Sequence, residues 1–265
     1  MGFELKDKVV FITGASSGIG RACAIEYHRA GSLVVAAARS ADKLRALAHE
    51  LGSSRIAPVA VDVTVPAQRE AALAEARDRF GPVDVLVNNA GWASFASVLR
   101  TPAEHVDRML QLNLAAPIAM IQAVLPSMLE RGSGQIVNIS SVVGNQAIAR
   151  MAVYSATKAA LSSLSTGLRM ELKGTGVDVV LVSPGSTNTA FFEVAGNVDV
   201  EAHRVARRQH TPERVARAVV YASRHRRREV TLTVEGKIIT VIRRISHRLA
   251  DSITSQVARR SMRAT

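Results

Sequence analysis

The pentapeptide YSATK, at residues 154–158, places a phenol and an ammonium group four positions apart. Residues at positions i and i+4 of a helix share one face, with their Cβ atoms about 5–6 Å apart. A lysine cation at that distance favours the phenolate, so we expect it to lower the pKa of Tyr154 from the usual value of about 10. Such a tyrosine could donate or accept a proton near neutral pH. Two unrelated surface residues would produce the same pentapeptide, so the pattern needs support from the rest of the chain.

A glycine-rich segment, TGASSGIG at residues 13–20, follows a short apolar run and precedes a helical pattern. Its three glycines permit a tight turn and let the backbone approach a bulky anion, and the N-terminus of the following helix offers free N–H groups to a phosphate. The spacing GxxxGxG differs from the usual GxGxxG, and a plain strand–helix connection would also account for it. After the first strand of an α/β chain, we interpret it as a dinucleotide-binding turn.

The end of the second apolar run bears on the choice between NAD and NADP. NAD-binding proteins of this fold place an acidic residue on the ribose hydroxyl about 20 residues after the glycine turn. Here the run ends with Ala38 and Arg39. A guanidinium can hold a 2′-phosphate through charge-assisted hydrogen bonds, so the sequence favours NADP(H) over NAD(H). The alternative is that Arg39 is an exposed residue or a partner for Asp42.

Short runs rich in Val, Ile and Ala alternate with longer amphipathic segments. The apolar runs lie at 8–13, 33–38, 57–63, 83–89, 134–140, 177–183 and 229–234, and the helical patterns include 19–30, 66–79, 104–130 and 153–173, with a capped helix beginning at TPER. Most runs are almost continuously apolar, as expected of strands covered on both faces. This alternation predicts an α/β protein with one doubly wound parallel sheet of seven strands and helices on both faces. Ligands bind such a sheet beyond the carboxyl ends of its strands.

Six motifs stand in order between about residue 6 and residue 190. They are TGASSGIG, NNAG at 88–91, Asn113, SSVVG at 140–144, YSATK and SPGSTNT at 183–189. In this order and at these separations, they resemble the short-chain dehydrogenase/reductase superfamily. The resemblance implies a single-domain Rossmann fold and an oxidoreductase that interconverts a carbonyl and a secondary alcohol by hydride transfer with NAD(P)(H).

The resemblance also implies four catalytic residues. Tyr154 would be the general acid/base that exchanges a proton with the substrate oxygen, and Ser141 would be the catalytic serine, while Ser140 would belong to the strand end. Lys158 would hold the nicotinamide ribose and lower the tyrosine pKa, and Asn113 would anchor a water in a proton relay. Hydride delivery builds negative charge on a carbonyl oxygen, which suits a serine hydroxyl and an acidified phenol. Alternatively, Ser141 could cap a turn and Asn113 could satisfy buried backbone groups.

A larger cofactor-binding set follows from the same resemblance. Its members are Gly14, Ser16, Ser17, Gly18, Ile19, Gly20, Arg39, Asp62, Val63, Asn89, Ala90, Gly91, Tyr154, Lys158, Pro184, Gly185, Thr187 and Thr189. Two positions depart from the family pattern. Thr187 stands where many relatives carry an aliphatic residue, and Ser17 stands where many NADP-dependent relatives carry a basic one. The NADP preference therefore depends largely on Arg39.

Large apolar residues indicate the class of substrate. The segment AFFEVAGNV, after Thr189, belongs to a predicted mobile substrate loop at about 186–210. The candidate wall residues are Trp92, Phe95, Met151, Phe191 and Phe192, with Val194 from the same loop. Such walls suit a lipophilic ketone or alcohol. Some of these side chains could instead pack the loop against the body of the protein.

Positive charge is concentrated near the C-terminus. Of the net charge of +12, most comes from residues 196–265, which contain 16 Lys+Arg against 6 Asp+Glu. We divide the chain into a catalytic domain at 1–235 and a basic amphipathic helical extension at 236–265, since apolar residues recur there at helical spacing. They are Ile238, Ile242, Ile245, Leu249, Ile253 and Val257. This helix could pack on its own domain, on a second subunit or, through 236–260, on an anionic membrane surface. Nucleic-acid binding is not expected, because the tail has no aromatic residues and no recognised module.

The composition excludes several classes of protein. A single cysteine, Cys23, rules out an internal disulfide framework, and no metal-ligand spacing is present. We find no secretory signal and no uninterrupted apolar run of about 18 residues, so we expect a cytoplasmic protein, and the resemblance implies a homodimer or homotetramer. Two alternatives to an enzyme stay open: an NADP-binding sensor or scaffold without turnover, and a peripheral membrane protein whose basic tail is its main functional element.

Overall fold

The apolar runs form the strands of one central parallel sheet. A computed structural model describes residues 2–52, 54–189, 191, 195–198, 210–233, 238, 242, 246, 248, 250 and 252–254. In chain order the strands are β1 Val9–Thr13, β2 Leu33–Ala38, β3 Ile56–Ala60, β4 Val85–Asn88, β5 Ser94–Phe95, β6 Gly134–Ile139, β7 Val177–Ser183, β8 Gly196–Asn197 and β9 Glu229–Thr231. Seven of them pair in parallel in the spatial order β3–β2–β1–β4–β6–β7–β9, and β5 pairs with β8 in a separate small sheet. The predicted fold class is confirmed.

Helices cover both faces of the sheet. They are α1 Gly18–Arg29, α2 Ala41–Leu51, α3 Pro66–Phe80, α4 Ala103–Leu110, α5 Ala116–Glu130, α6 Val142–Asn145, α7 Ala152–Glu171 and α8 Pro212–Arg224, with a 3₁₀ turn at Val98–Arg100 and a π-helical turn at Gln111–Ala115. One apolar core lies between the sheet and α1, α2 and α8, and a second lies between the sheet and α3, α5 and α7. The N-terminal cap predicted for α8 is present, because the Thr211 hydroxyl accepts from Arg214 N at 3.3 Å.

The segment Ala103–Glu130 is long and apolar enough to span a membrane, and within the part of the chain that the structure describes it is the one helix of which this holds. Met120, Ile121 and Val124 are buried in the core that also contains Leu86 of β4 and Ile136 of β6. A helix that covers a sheet needs such an apolar face. Packing against the sheet therefore accounts for its hydropathy.

Three predicted elements differ from the structure, and one is the strand predicted at 229–234, which is paired only over Glu229–Thr231. The run predicted as a strand at 57–63 is paired only to Ala60, because its neighbour β2 ends at Ala38, whose carbonyl accepts the last hydrogen bond from Val61 N. The helix predicted at 104–130 is interrupted by the π-helical turn. A π-turn adds one residue to a helical turn, and apolar periodicity does not reveal it.

The C-terminal extension and the substrate loop are described in part. Phe192 and Val194 of the loop, and Ile245, Leu249 and Val257 of the apolar stripe, lie outside the described residues. Ile238 is 53% exposed, whereas Ala250 is fully buried. Amides of Ser246 and Ala250 donate to the carbonyls of Ile242 and Ser246 at 2.8 and 3.2 Å, which is helical spacing. The boundary at residue 235 and a continuous helix beyond it stay predictions.

Candidate active site

The glycine turn and the NNAG motif meet at the carboxyl ends of β1 and β4, the strands on either side of the point where the sheet order reverses. The Thr13 hydroxyl accepts from the amides of Asn89 and Ala90 at 3.0 Å each and donates to the Val87 carbonyl at 3.3 Å. In return, Asn89 Nδ2 donates to the Thr13 carbonyl at 2.9 Å. These bonds bring two motifs about 75 residues apart into one crevice, which is the ligand-binding position of a doubly wound sheet.

Three glycines of the turn lie where neighbouring atoms leave no room for a side chain. Gly14 has φ +68°, a left-handed conformation that side chains disfavour, and a β-carbon on it would lie 2.9 Å from Asn89 Nδ2. A β-carbon on Gly20 would overlap the Gly14 carbonyl oxygen. At Gly18 the neighbour is Thr189, whose methyl would lie 2.9 Å from such a carbon. SPGSTNT therefore lies against the glycine turn, although the two motifs are far apart in the sequence.

Two arginines act electrostatically on one carboxylate beside the crevice. Burial raises the pKa of Asp62, but hydrogen bonds from the Thr64 hydroxyl and amide, together with the positive charges of Arg39 and Arg108, outweigh burial and leave this pKa lowered. Arg39 is exposed at the end of β2. Asp42, the alternative partner for Arg39, is ion-paired instead with Arg45 at 2.5 Å. The positive charge of Arg39 therefore acts on Asp62, beside the crevice.

The two serines after β6 have different surroundings. Ser140 is buried, and its hydroxyl donates to the Lys158 carbonyl at 2.9 Å and lies 3.0 Å from the Ser162 hydroxyl, so it joins the strand end to α7. Ser141 caps α6 through a long hydrogen bond of 3.4 Å from Val143 N. The Ser141 side chain also acts on the phenol of Tyr154, whose pKa it lowers. Ser141 therefore combines the capping role with contact to the tyrosine.

Tyr154 is buried, and its surroundings favour the protonated phenol. Burial raises its pKa above the ordinary value, and the smaller effect of Ser141 only partly opposes this. Lys158 Nζ lies 5.9 Å from the centroid of the tyrosine ring. The expectation of a pKa lowered by Lys158 is therefore not met in this structure, because desolvation, which the pentapeptide cannot reveal, dominates.

Lys158 is itself perturbed. It is buried, and burial lowers the pKa of its ammonium from 10.5 to about 8. Its Nζ donates to the Ile139 carbonyl at 3.0 Å, which fixes the end of the side chain at the end of β6. An ammonium held there can donate further hydrogen bonds into the crevice, because Lys has three donors.

Replacing Lys158 with Met should reduce the change of the free energy of unfolding with pH. Between pH about 8 and 10.5 the unfolded lysine holds its proton while the folded one has released it. The unfolded state then binds more protons, so wild-type stability rises with pH across this window relative to Lys158→Met, by about 3 kcal/mol in all. Denaturant unfolding of both proteins through the window measures the difference. Cys23 and Tyr27 titrate equally in the two proteins, so their contributions cancel. A difference in the free energy of unfolding that stayed constant with pH would contradict a buried ammonium at Lys158.

Asn113 lies in the π-helical turn and is fully buried. Its side chain accepts from Trp92 N at 2.9 Å and donates to the Trp92 carbonyl at 2.9 Å and to Thr157 Oγ1 at 3.1 Å. Thr157 in turn donates to the Tyr154 carbonyl at 2.8 Å. A β-carbon on Gly91 would lie 3.2 Å from Asn113 Oδ1 and 3.5 Å from Lys158 Nζ, so both polar groups border the same space. Asn113 thus ties the NNAG loop to α7, and its part in a proton relay stays a prediction.

Four of the five candidate wall residues are placed by the structure in one apolar cluster with Tyr154. They are Trp92, Phe95, Met151 and Phe191. The rings of Phe191 and Tyr154 are tilted, with centroids 5.9 Å apart. Val143, Ile148 and Val153 pack against the same cluster. The surroundings of the phenol are therefore mainly apolar.

The SPGSTNT segment continues from β7 along the crevice. Val142 N donates to the Pro184 carbonyl at 3.0 Å, which joins this segment to the loop of Ser141. Thr187 is buried, and its hydroxyl donates to the Gly185 carbonyl at 3.1 Å. Within the described residues, the buried hydroxyl of Ser186 has no hydrogen-bond partner. Ser186 is not among the site residues predicted from the sequence.

Sequence reasoning also missed four residues around the candidate wall. Arg108 has its guanidinium carbon 4.1 Å from the centroid of the Trp92 ring, and His105 meets that ring edge-on at 4.9 Å. Ser94 and Gly196 complete the group. No motif marks them, and His105 and Arg108 lie in a segment that the sequence presents only as an amphipathic helix. Their proximity depends on a pairing between segments about 100 residues apart.

Comparison with known proteins agrees with this geometry. Residues 8–197 match the short chain dehydrogenase family. An uncharacterized oxidoreductase of Staphylococcus aureus strain MRSA252 is 35% identical over 218 residues, which cover 82% of this chain and 91% of the relative. The closed form of serine dehydrogenase complexed with NADP+ is 34% identical, with TM-score 0.78 over 84% of this chain and 93% of the other. The 3-ketoacyl-(acyl-carrier-protein) reductase of Brucella melitensis, complexed with NADH, is 26% identical, with TM-score 0.78 over 86% and 98%.

Solved relatives thus include complexes with either nicotinamide cofactor, as is usual in a family that uses NAD(P)(H). The match spans β1 to β8 and contains the motifs that converge at the end of the sheet. Because the family match covers well over half of the sequence, the chain belongs to the short-chain dehydrogenase family and is an oxidoreductase of that family.

Proposed function

We propose that this protein is an NADP-dependent carbonyl reductase that acts on lipophilic small molecules, with Tyr154 as the general acid. The observation that carries the proposal is the environment of the Tyr154 phenol. It is buried in an apolar cluster, beside Ser141, whose side chain lowers the pKa of the phenol, and near the buried Lys158 ammonium. A hydroxyl donor, a proton donor and a cation together suit a substrate oxygen that gains negative charge.

The residues around the crevice fit a dinucleotide. The glycines of the turn let its backbone pack closely against Asn89 and Thr189, and Ser17, at the start of α1, makes no side-chain cap, so the first N–H groups of the helix can bind phosphate. Asp62 and Val63 would contact adenine, Asn89 to Gly91 would line its ribose, and the segment from Pro184 to Thr189 would flank the nicotinamide.

The bound nicotinamide would supply or accept the hydride. The protein's residues would manage the proton and the charge. Because burial raises its pKa, Tyr154 is protonated at neutral pH and suited to donate, which favours reduction of a carbonyl over oxidation of an alcohol. Ser141 would hydrogen-bond the substrate oxygen, and Lys158 would hold the ribose and compensate the charge left on the phenolate.

The preference for NADP is supported by the positive charge at the adenosine end. Arg39 is exposed there, and both Arg39 and Arg108 act on Asp62. Among the described residues, Arg39 makes no ion pair with Asp42, its neighbouring carboxylate, which pairs with Arg45. Its guanidinium is therefore available to a 2′-phosphate.

A panel of ketones of increasing size, each mixed with NADPH, tests the proposal. The value of kcat/KM should be at least about tenfold higher for aryl and medium-chain aliphatic ketones than for acetone. The reason is that binding to an apolar wall gains about 0.8 kcal/mol for each buried methylene. Absorbance of NADPH measures the rate. NADPH binding without turnover of any ketone in the panel would favour the alternative of a sensor or scaffold.

The assembly and the basic tail form a separate part of the proposal. Proteins of this family are commonly oligomeric, and we propose a homo-oligomer. For the extension at 236–265, the full burial of Ala250 supports packing within the protein over exposure on a membrane. Contact with an anionic membrane would require the apolar stripe to be accessible, and of its described members only Ile238 is largely exposed.

A further inference from the structure

A small sheet joins the segment after NNAG to the substrate loop. β5 and β8 pair in parallel, Gly196 N donates to the Ala93 carbonyl at 3.0 Å, and Val198 N donates to the Phe95 carbonyl at 3.2 Å. A pair of two-residue strands has little stability of its own. Side chains must therefore help to keep the loop in this position.

One serine hydroxyl connects the loop to α4. Ser94 Oγ lies 3.0 Å from the Gly196 carbonyl oxygen and 2.9 Å from His105 Nδ1. The carbonyl can only accept, so the single hydroxyl proton of Ser94 points to Gly196. His105 Nδ1 must then carry a hydrogen and donate it to Ser94 Oγ. Through this chain of two bonds, His105 orients the serine toward the loop.

The packing around Gly196 leaves no room for a side chain. A β-carbon there would lie 2.7 Å from Cε1 and 2.8 Å from Nδ1 of His105, and 3.0 Å from Cη2 of Trp92. The edge-on contact of His105 with Trp92, whose ring also contacts Arg108, holds the imidazole in place. The loop backbone is thus seated directly against two rings.

Two described residues that precede Gly196, Phe191 and Ala195, lie at the candidate site. Phe191 packs against Tyr154, and its amide donates to Thr189 Oγ1 at 3.3 Å. Ala195, next to Gly196, packs on the same apolar cluster. A shift of Gly196 would therefore move Ala195 and change the packing of the apolar cluster around Tyr154.

We infer that Ser94, His105 and Gly196 form a clasp that holds the backbone at 195–198 against β5 and the apolar cluster of Tyr154 and thereby sets the affinity for substrate. This inference rests on the proposed function only in taking the substrate to be a carbonyl compound. Its members are positioning residues, because they touch the loop and not the reacting atoms. Loss of the clasp should raise the KM for the carbonyl while leaving the affinity for NADPH unchanged.

Hydrogen exchange of the full-length protein tests the clasp without any substrate. The amides of Gly196 and Val198 should exchange about tenfold faster in Ser94→Ala, which loses both hydroxyl bonds, and faster again in Gly196→Ala, which adds the clash. Thr101→Ala is the matched control, because the Thr101 hydroxyl bonds only the Ser97 carbonyl of its own turn, at 2.8 Å. Unchanged exchange in Ser94→Ala would overturn the proposal.

A pair of His105 variants separates hydrogen bonding from packing. His105→Asn keeps a donor near the position of Nδ1 and should keep exchange within about threefold of wild type, whereas His105→Phe keeps a ring without a donor and should match Ser94→Ala. Equal exchange in the two variants would contradict the assigned donor. NADPH titration by fluorescence should give the wild-type dissociation constant for both.

Kinetics with acetophenone as the probe ketone connect the clasp to affinity. In Ser94→Ala, KM should rise about tenfold with kcat changed less than about twofold, since the clasp acts on the loop and not on proton transfer. A fall in kcat at constant KM would overturn the role in affinity. Absence of acetophenone turnover in the wild type would count against the proposed function alone, because the exchange result stands without it.

Discussion

Tyr154→Phe is expected to lower kcat/KM for carbonyl reduction about a thousandfold, the largest effect of any single substitution considered. The substitution removes the proton donor and keeps the ring in its apolar cluster with Trp92 and Phe191. The unfolding midpoint should change little, because the ring stays buried in the same cluster. Single-turnover absorbance of NADPH with the best ketone of the panel measures the loss.

Tyr221→Phe provides the matched control for this experiment. Tyr221 lies in α8 and is 51% exposed, with its ring against His225 rather than in the candidate site. This variant should keep the wild-type rate. If Tyr154→Phe also kept it, the proposed mechanism would be wrong, whichever ketone was used.

Arg39→Asp should reverse the choice of cofactor. Loss of a charge-assisted bond to the 2′-phosphate weakens NADPH by up to about a hundredfold, as Arg39→Ala should show. The aspartate further repels the phosphate and can accept from the ribose hydroxyls of NADH, as in NAD-specific proteins of this fold. The ratio of kcat/KM for NADPH to that for NADH should therefore fall more in Arg39→Asp than in Arg39→Ala.

The control for the cofactor experiment is Arg45→Ala, which removes a nearby exposed arginine that pairs only with Asp42. It should leave the ratio of the two cofactors unchanged. Equal ratios for wild type, Arg39→Ala and Arg39→Asp would show that Arg39 does not contact the 2′-phosphate. The remaining cation near Asp62 would then be Arg108.

The positions of the strands and motifs could be predicted because they are local. A continuous apolar run followed by a glycine turn has few alternatives, and β1, α1 and the end of β2 lie where the sequence indicates. The family resemblance distinguishes Ser141 from Ser140, because it implies a catalytic serine 13 positions before Tyr154, and the structure places the two hydroxyls in different surroundings.

What could not be predicted depends on three-dimensional surroundings. The direction of the Tyr154 pKa follows from burial by residues distant in the sequence, whereas the pentapeptide reveals only the neighbouring lysine. The π-turn around Asn113 adds a residue without disturbing the apolar pattern on either side. His105 and Gly196 have ordinary sequence surroundings, and their importance becomes visible only when β5 pairs with β8.

The bonds from Thr13 to Asn89 and Ala90 have a consequence for how the chain reaches its native state. They join residues 76 and 77 positions apart, so the crevice exists only after β1 and β4 have paired. Contacts of such long sequence separation form slowly, because the intervening chain must first be ordered. A partly folded chain in which β1 and β4 have not paired would have the glycine turn without the NNAG motif beside it. A dinucleotide in the cell would therefore bind only folded molecules and, by mass action, shift the folding equilibrium toward the native state.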